Sequence, residues 1–87
     1  MILVKGLIWD DWNKEHLAKH GITPEEVEEV CRSKYQAVKS YRGRIQLTGK
    51  TISEKRLTII LSPEDRSLNE YGDGIYYLIT AFEEVKS

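Results

Sequence analysis

Cations, amides and hydroxyls recur at even spacing in the middle of the chain. Arg44, Gln46, Thr48 and Lys50 alternate with Ile45 and Leu47, and Arg56 and Thr58 alternate with Leu57 and Ile59. A period of two marks a half-buried strand, so the polar members of each run share one face. If Thr51 to Lys55 close a hairpin, Arg44, Lys50 and Arg56 come to a common sheet face, with Gln46, Thr48 and Thr58 between them. Such a face suits a single-stranded RNA backbone, because cations neutralise phosphates while amides and hydroxyls bond their oxygens. Arg42 adds a cation in the preceding turn, and Tyr35, Tyr41 and Tyr76 are candidate stacking surfaces for bases. RNA cleavage at a 2′-hydroxyl needs a base for the 2′ proton, cations for the crowded phosphorane and an acid for the leaving 5′ oxygen. The arginines and Lys50 meet the second need. A lysine whose pKa is lowered by cationic neighbours can serve in proton transfer. No histidine lies on these strands. A solvated sheet face with no ligand carries the same residue types, so this pattern alone leaves both readings open.

The remaining reactive side chains offer less. His16 and His20 stand four apart on a helical stretch, a spacing that can bind zinc. No third ligand is signalled, and Glu15 precedes the first histidine rather than following it. No metal or other cofactor is expected, and His20 is better placed to close a helix C-terminus, where a cationic imidazole meets the dipole favourably. Cys31 is the only cysteine, which excludes an intramolecular disulfide. Neighbouring glutamates raise a thiol pKa, so Cys31 reads as a core residue.

The elements that must position these groups follow from length and pattern. The chain has 87 residues, 40% hydrophobic and 31% charged. That predicts one soluble domain over residues 1–87, too small for a doubly wound nucleotide-binding fold or a barrel enzyme. Ile2 to Trp9 reads as a strand. Asp10 or Asp11 caps a helix from Trp12 to His20, and Gly21 ends it. Thr23-Pro24-Glu25-Glu26 starts a second helix with a capping box, and Val27, Val30 and Cys31 form its buried stripe. Trp9 and Trp12 are expected to pack between helix and sheet, each indole N–H finding a partner. Strands are predicted over Tyr35–Tyr41, Arg44–Thr51, Arg56–Leu61 and Ile75–Ala81. In the last, Ile75, Tyr77, Ile79 and Ala81 face one way, and Pro63 to Gly74 form a long surface loop. The fold class is α+β: an N-terminal strand, two packed helices, then an antiparallel β-meander, in the order β-α-α-β-β-β-β.

The formal net charge of −1 conceals a separation. Residues 32–56 hold Arg32, Lys34, Lys39, Arg42, Arg44, Lys50, Lys55 and Arg56 against the single acid Glu54, whereas residues 1–31 and 57–87 each carry a net −4. The basic block points to an anionic partner, or to acidic helices pairing with basic strands inside the fold. The lack of a disulfide framework and of any long apolar run favours a cytoplasmic location without a membrane segment.

A family resemblance joins these features. Trp9-Asp10, a short helix, Lys19-His20-Gly21-Ile22 and Pro24-Glu25-Glu26-Val27 resemble the amino-terminal signature of the BrnT-like toxins. Gly43-Arg44, Leu47-Thr48-Gly49-Lys50-Thr51, Arg56-Leu57-Thr58-Ile59-Ile60 and Leu78-Ile79-Thr80-Ala81 follow in that family's order. The resemblance spans nearly the whole chain. It implies a compact α+β fold similar to the RelE-type ribonuclease toxins, RNA cleavage without metal, and neutralisation by a ribbon-helix-helix antitoxin. Under it Lys50, Arg56 and Arg44 are the candidate catalytic residues. Arg42, Arg44, Gln46, Thr48, Thr58 and Tyr76 are the RNA-binding candidates, with His16 and His20 accessory. Members usually carry arginine where this chain has Lys50, asparagine where it has His16, and basic residues where Phe82, Glu83 and Glu84 follow Ala81. A relative that binds RNA or an antitoxin-like partner without cleavage is therefore the second expectation. A homodimer paired through the open sheet is the third.

Overall fold

The helices form where capping chemistry starts them. In the computed structural model, which describes residues 3–65, 67 and 69–84, α1 (Asp11–Lys19) begins at Asp10, whose carboxylate accepts from the Asn13 amide. Asn13 Oδ1 accepts in return from the Asp10 N–H. Thr23 and Glu26 repeat this reciprocal box at α2 (Pro24–Arg32), with Pro24 in the first turn, where its missing N–H removes nothing. His20 caps the end of α1, and Gly21 follows at φ +72°, a conformation that lets the chain double back at little cost.

The strands are β1 (Gly6–Ile8), β2 (Tyr35–Lys39), β3 (Ile45–Lys50), β4 (Arg56–Ser62) and β5 (Ile75–Glu83). They build one five-stranded sheet in the order β1-β5-β4-β3-β2. From β2 to β5 it is the antiparallel meander of the α+β order read from sequence, and β1 pairs parallel to β5 at the edge. Leu17 and Ile22 join Val27 and Val30 of α2 over Ile45, Leu47, Ile59 and Leu61 in a single apolar cluster. No described helix is long and apolar enough to cross a membrane.

Several boundaries and faces differ from the sequence reading. β1 is shorter than Ile2–Trp9, and β2 stops at Lys39 because Arg42 and Gly43 both take positive φ in the turn that follows. β5 runs two residues past Ala81. Its alternation breaks where Ile60 pairs with Thr80 but Leu61 pairs with Leu78, leaving Ile79 as an extra residue. The bulge brings Leu78 into the core beside Ala81, so Ile79 is not the inward residue the simple period predicted. Tyr77 is buried and its hydroxyl donates to Asp10 Oδ2. Trp12 does not pack between the layers: it is 40% exposed and stacks on His16. Trp9 does pack against the core, but its buried indole N–H has no partner among the described residues.

The fold hinges on Asn13. It is fully buried, and its amide nitrogen donates to Ile8 O (3.0 Å) and Leu78 O (3.2 Å). One side chain thus ties α1 to β1 and β5 where the two strands part.

Candidate nucleic-acid interface

β-Sheet register assembles the site. Lys50 pairs directly with Arg56 and Thr48 with Thr58 across β3 and β4. Gln36 on β2 pairs with Thr48, so Lys34, one residue before the Tyr35–Gly49 pair, stands level with Lys50. Three cations, Lys34, Lys50 and Arg56, therefore line up across three neighbouring strands at one end of the sheet. Ser33, Lys34, Tyr35, Gln36, Thr48, Gly49, Lys50 and Arg56 line a cleft of about 470 Å³ there. No carboxylate and no imidazole is among them.

Gly49 allows the cleft to form. A Cβ at this position would lie 2.8 Å from Val30 Cγ1 and 3.2 Å from Lys34 O. The missing side chain lets the end of α2 and the start of β2 close over β3, which sets Lys34 beside the other two cations.

The electrostatics are lopsided. Like charges directly opposite on neighbouring strands, their Cβ atoms about 5 Å apart, repel. Neither Lys34 nor Lys50 makes an ion pair with a described residue. Among the described residues Arg56 has one compensating acid. The Glu84 N–H donates to Arg56 O (2.9 Å), and its carboxylate accepts from Thr58 Oγ1 (2.8 Å) and lies 4.0 Å from the Arg56 guanidinium. Thr58 is consequently only 4% exposed rather than open to solvent as its place on the polar face suggested.

Another member of the basic block serves the fold. Lys55 donates to Glu26 (3.1 Å) and to Gly21 O (3.2 Å), and Glu29 accepts from the Ile52 N–H (3.0 Å). These contacts fasten the β3–β4 loop to α2. Burial works against the Glu26 carboxylate, yet the Thr23 N–H and the Lys55 ammonium hold it below its ordinary range. Acidic helix and basic hairpin do pair here, so part of the charge separation is structural.

The other sequence candidates scatter. Arg44 precedes β3 and is six residues from Lys50, about 20 Å along an extended strand. Arg42 lies in the adjoining turn with φ +60° and is exposed. Both belong to the opposite end of the sheet, so Arg44 has the parity of the Lys50 and Arg56 face but stands far from those two, and Lys34 is the third cation at the cleft. Gln46 is exposed two residues from Thr48 on the open face. Tyr76 packs against the apolar core and offers no platform beside the cleft. Tyr35 also packs on the core, and its hydroxyl accepts from the Val4 N–H (3.2 Å). The Tyr41 side chain lies outside the described residues.

His16 is not confined to the helical layer. Its Nε2 lies 3.0 Å from Thr80 Oγ1, and Thr80 pairs with Ile60 on the open face. Its ring stacks on Trp12 (centroids 5.2 Å apart, 7° between planes) and meets His20 edge-on (5.1 Å). Among the described residues, no three His, Cys, Asp or Glu side chains are grouped to hold a metal ion. Cys31 packs against the core, and burial, reinforced by Glu28, pushes its thiol up to about 11. That is the wrong direction for a nucleophile.

Sequence reasoning missed Lys34 and Gln36 as site residues because β2 carries a weak alternation. The signal was there in parity: both flank Tyr35, which points to the core. Glu84 was recognisable only as an acid near the last strand, and its contacts required β5 to continue to Glu83. The chain matches no family model, no curated protein and no solved structure.

Proposed function

We propose that this protein is a toxin-like endoribonuclease that grips an RNA phosphate in the Lys34–Lys50–Arg56 cleft. The observation that carries the reading is the row of three cations on adjacent strands, with Lys50 and Arg56 directly opposed and no acid lining the cleft. A row of this kind carries self-repulsion that a polyanion relieves. In the reaction, solvent hydroxide takes the 2′ proton as the 2′ oxygen bonds to phosphorus, Lys50 and Arg56 stabilise the resulting dianionic phosphorane by charge and hydrogen bonds, and cleavage of the P–O5′ bond leaves a 2′,3′-cyclic phosphate. Lys50 also gives a proton to the departing 5′ oxygen. Gln36 and Thr48 bond sugar and phosphate oxygens. The resemblance to the BrnT-like toxins supports the same assignment and adds a ribbon-helix-helix antitoxin as the protein partner. Induced expression is expected to arrest growth and degrade RNA, with Arg56→Ala and Lys50→Ala each abolishing both effects. Unimpeded growth and intact RNA under strong induction of the wild type would overturn the proposal.

A second reading is favoured by Glu84 and by the absence of an imidazole from the cleft lining. In it the protein holds RNA without cutting it. Purified protein would then retain single-stranded RNA in a salt-sensitive manner and release no fragments.

A further inference from the structure

Phe82 is 42% exposed on the open sheet face. It pairs with Thr58, which in turn pairs with Thr48 at the cleft. Thr48 and Phe82 are thus two strand spacings apart, roughly 10 Å. A second aromatic surface adjoins it. Thr80, two residues back on the same face of β5, holds His16, and His16 stacks on the 40% exposed Trp12. The face therefore runs from the cations through Thr48 and the Glu84-bonded Thr58 to the aromatic rings. This is the make-up of a single-strand track, in which charge follows the backbone and π faces receive unpaired bases. Phe82 pairs with Thr58, two residues from Arg56 on the same face, which puts the ring within reach of a base next to a phosphate at Arg56.

We infer that Phe82 is a base-stacking platform, receiving an unpaired base of the RNA strand whose phosphate occupies the cleft. The inference rests on the RNA reading above and names the residue that would separate a nucleobase from a bare polyanion. Every base has a π face, so the subsite is tolerant of sequence and selects for unpaired strands.

The test compares two labelled strands of equal length by fluorescence anisotropy at low salt. One carries adenines on 2′-O-methyl riboses, which blocks cleavage, and the other is an abasic phosphodiester. The wild type is expected to prefer the base-bearing strand roughly tenfold. Phe82→Ala should lose that preference while keeping its affinity for the abasic strand and its salt dependence. Phe82→Leu should behave like alanine, and Phe82→Trp should retain or strengthen the preference. Arg56→Gln should weaken both strands. Phe82→Ala affecting both strands equally or neither, or Phe82→Leu keeping the wild-type preference, would overturn the platform. Equal binding of the two strands by the wild type would remove the platform alone, whereas binding of neither would remove the RNA reading with it. Thermal melts check that the substitutions at this partly exposed site leave the fold intact.

Discussion

Replacing Glu84 by glutamine should tighten the hold on RNA. Glu84 lies 4.0 Å from the Arg56 guanidinium and accepts from Thr58 Oγ1 at 2.8 Å. A phosphate bonded to that guanidinium approaches to about 2.8 Å, which brings it to about 5 Å from the Glu84 carboxylate. Two unit negative charges at that separation repel by about 0.8 kcal/mol in a water-like dielectric, and by more where protein displaces water. Since 1.4 kcal/mol is tenfold in affinity, Glu84→Gln should lower the Kd for a short single strand about three- to tenfold. Glutamine keeps an oxygen for the Thr58 hydroxyl, so the substitution removes the charge and spares the hydrogen bond. The melting temperature should hence move by only a few degrees, consistent with the small worth of an exposed pair. The assay is anisotropy of a labelled oligonucleotide over a salt series. At about 1 M salt the Debye length of roughly 3 Å is shorter than the separation, and the two proteins should converge. Equal or weaker binding by Glu84→Gln at low salt, with an unchanged melt, would refute the placement of the anion at Arg56.

Two further outcomes concern the scaffold. Gly49→Ala should cost about 1–3 kcal/mol, because the new methyl meets Val30 Cγ1 at 2.8 Å and the carbonyl of Lys34 at 3.2 Å. A thermal melt should show it as a fall of roughly 4–8 °C per kcal/mol; an unchanged melt would mean that α2 does not close over β3 as described. Lys55→Gln should cost about 0.5–1 kcal/mol at neutral pH, since Lys55 helps hold the Glu26 carboxylate below its ordinary range. A carboxylate depressed in the folded state contributes fully above its unfolded pKa and loses that contribution as pH falls through the folded one. The gap between wild type and variant, measured by urea unfolding across the acid range, should accordingly close on acidification; a gap that widened would contradict the pairing.

Local chemistry made much of this fold legible in the sequence. Thr23-Pro24-Glu25-Glu26 specifies a helix start through groups within three residues of one another, and Asp10 does the same for α1 with Asn13. The period-two runs around Leu47 and Ile59 gave β3 and β4 their inward faces directly. What stayed hidden depends on contacts distant in sequence. The bulge at Ile79 has no local signature, so simple alternation assigns Ile79 rather than Leu78 to the inward face of β5. Asn13 looks like an ordinary first-turn residue until Leu78, 65 positions away, supplies its carbonyl. The site shows the same division. Lys50, Arg56 and Thr48 could be placed on one face from alternation alone, but their distances along the face could not be weighed without register. Arg44 has the right parity and the wrong end; Lys34 lies outside the two alternating runs and has the right position.

Register also explains how the charge is balanced. Lys34, Lys50, Arg56 and Glu84 form one row across the sheet, with three cations running toward the β2 edge and the acid at the β5 side. Like-charge neighbours in such a row each cost up to about 1 kcal/mol, and Glu84 can offset only the member it adjoins. Among the described residues the uncompensated charge therefore lies at Lys34 and Lys50, over the cleft, and under the proposed function a phosphate would be drawn first to that end. On that reading Arg56 would be reached second, where the phosphate would share or displace the Glu84 carboxylate. That order would make Glu84 a brake on the last step of engagement rather than a barrier to the first. The cost of the cationic row is linked to the same anion the row would bind, because a polyanion held there would stabilise the folded chain with the logarithm of its concentration relative to Kd.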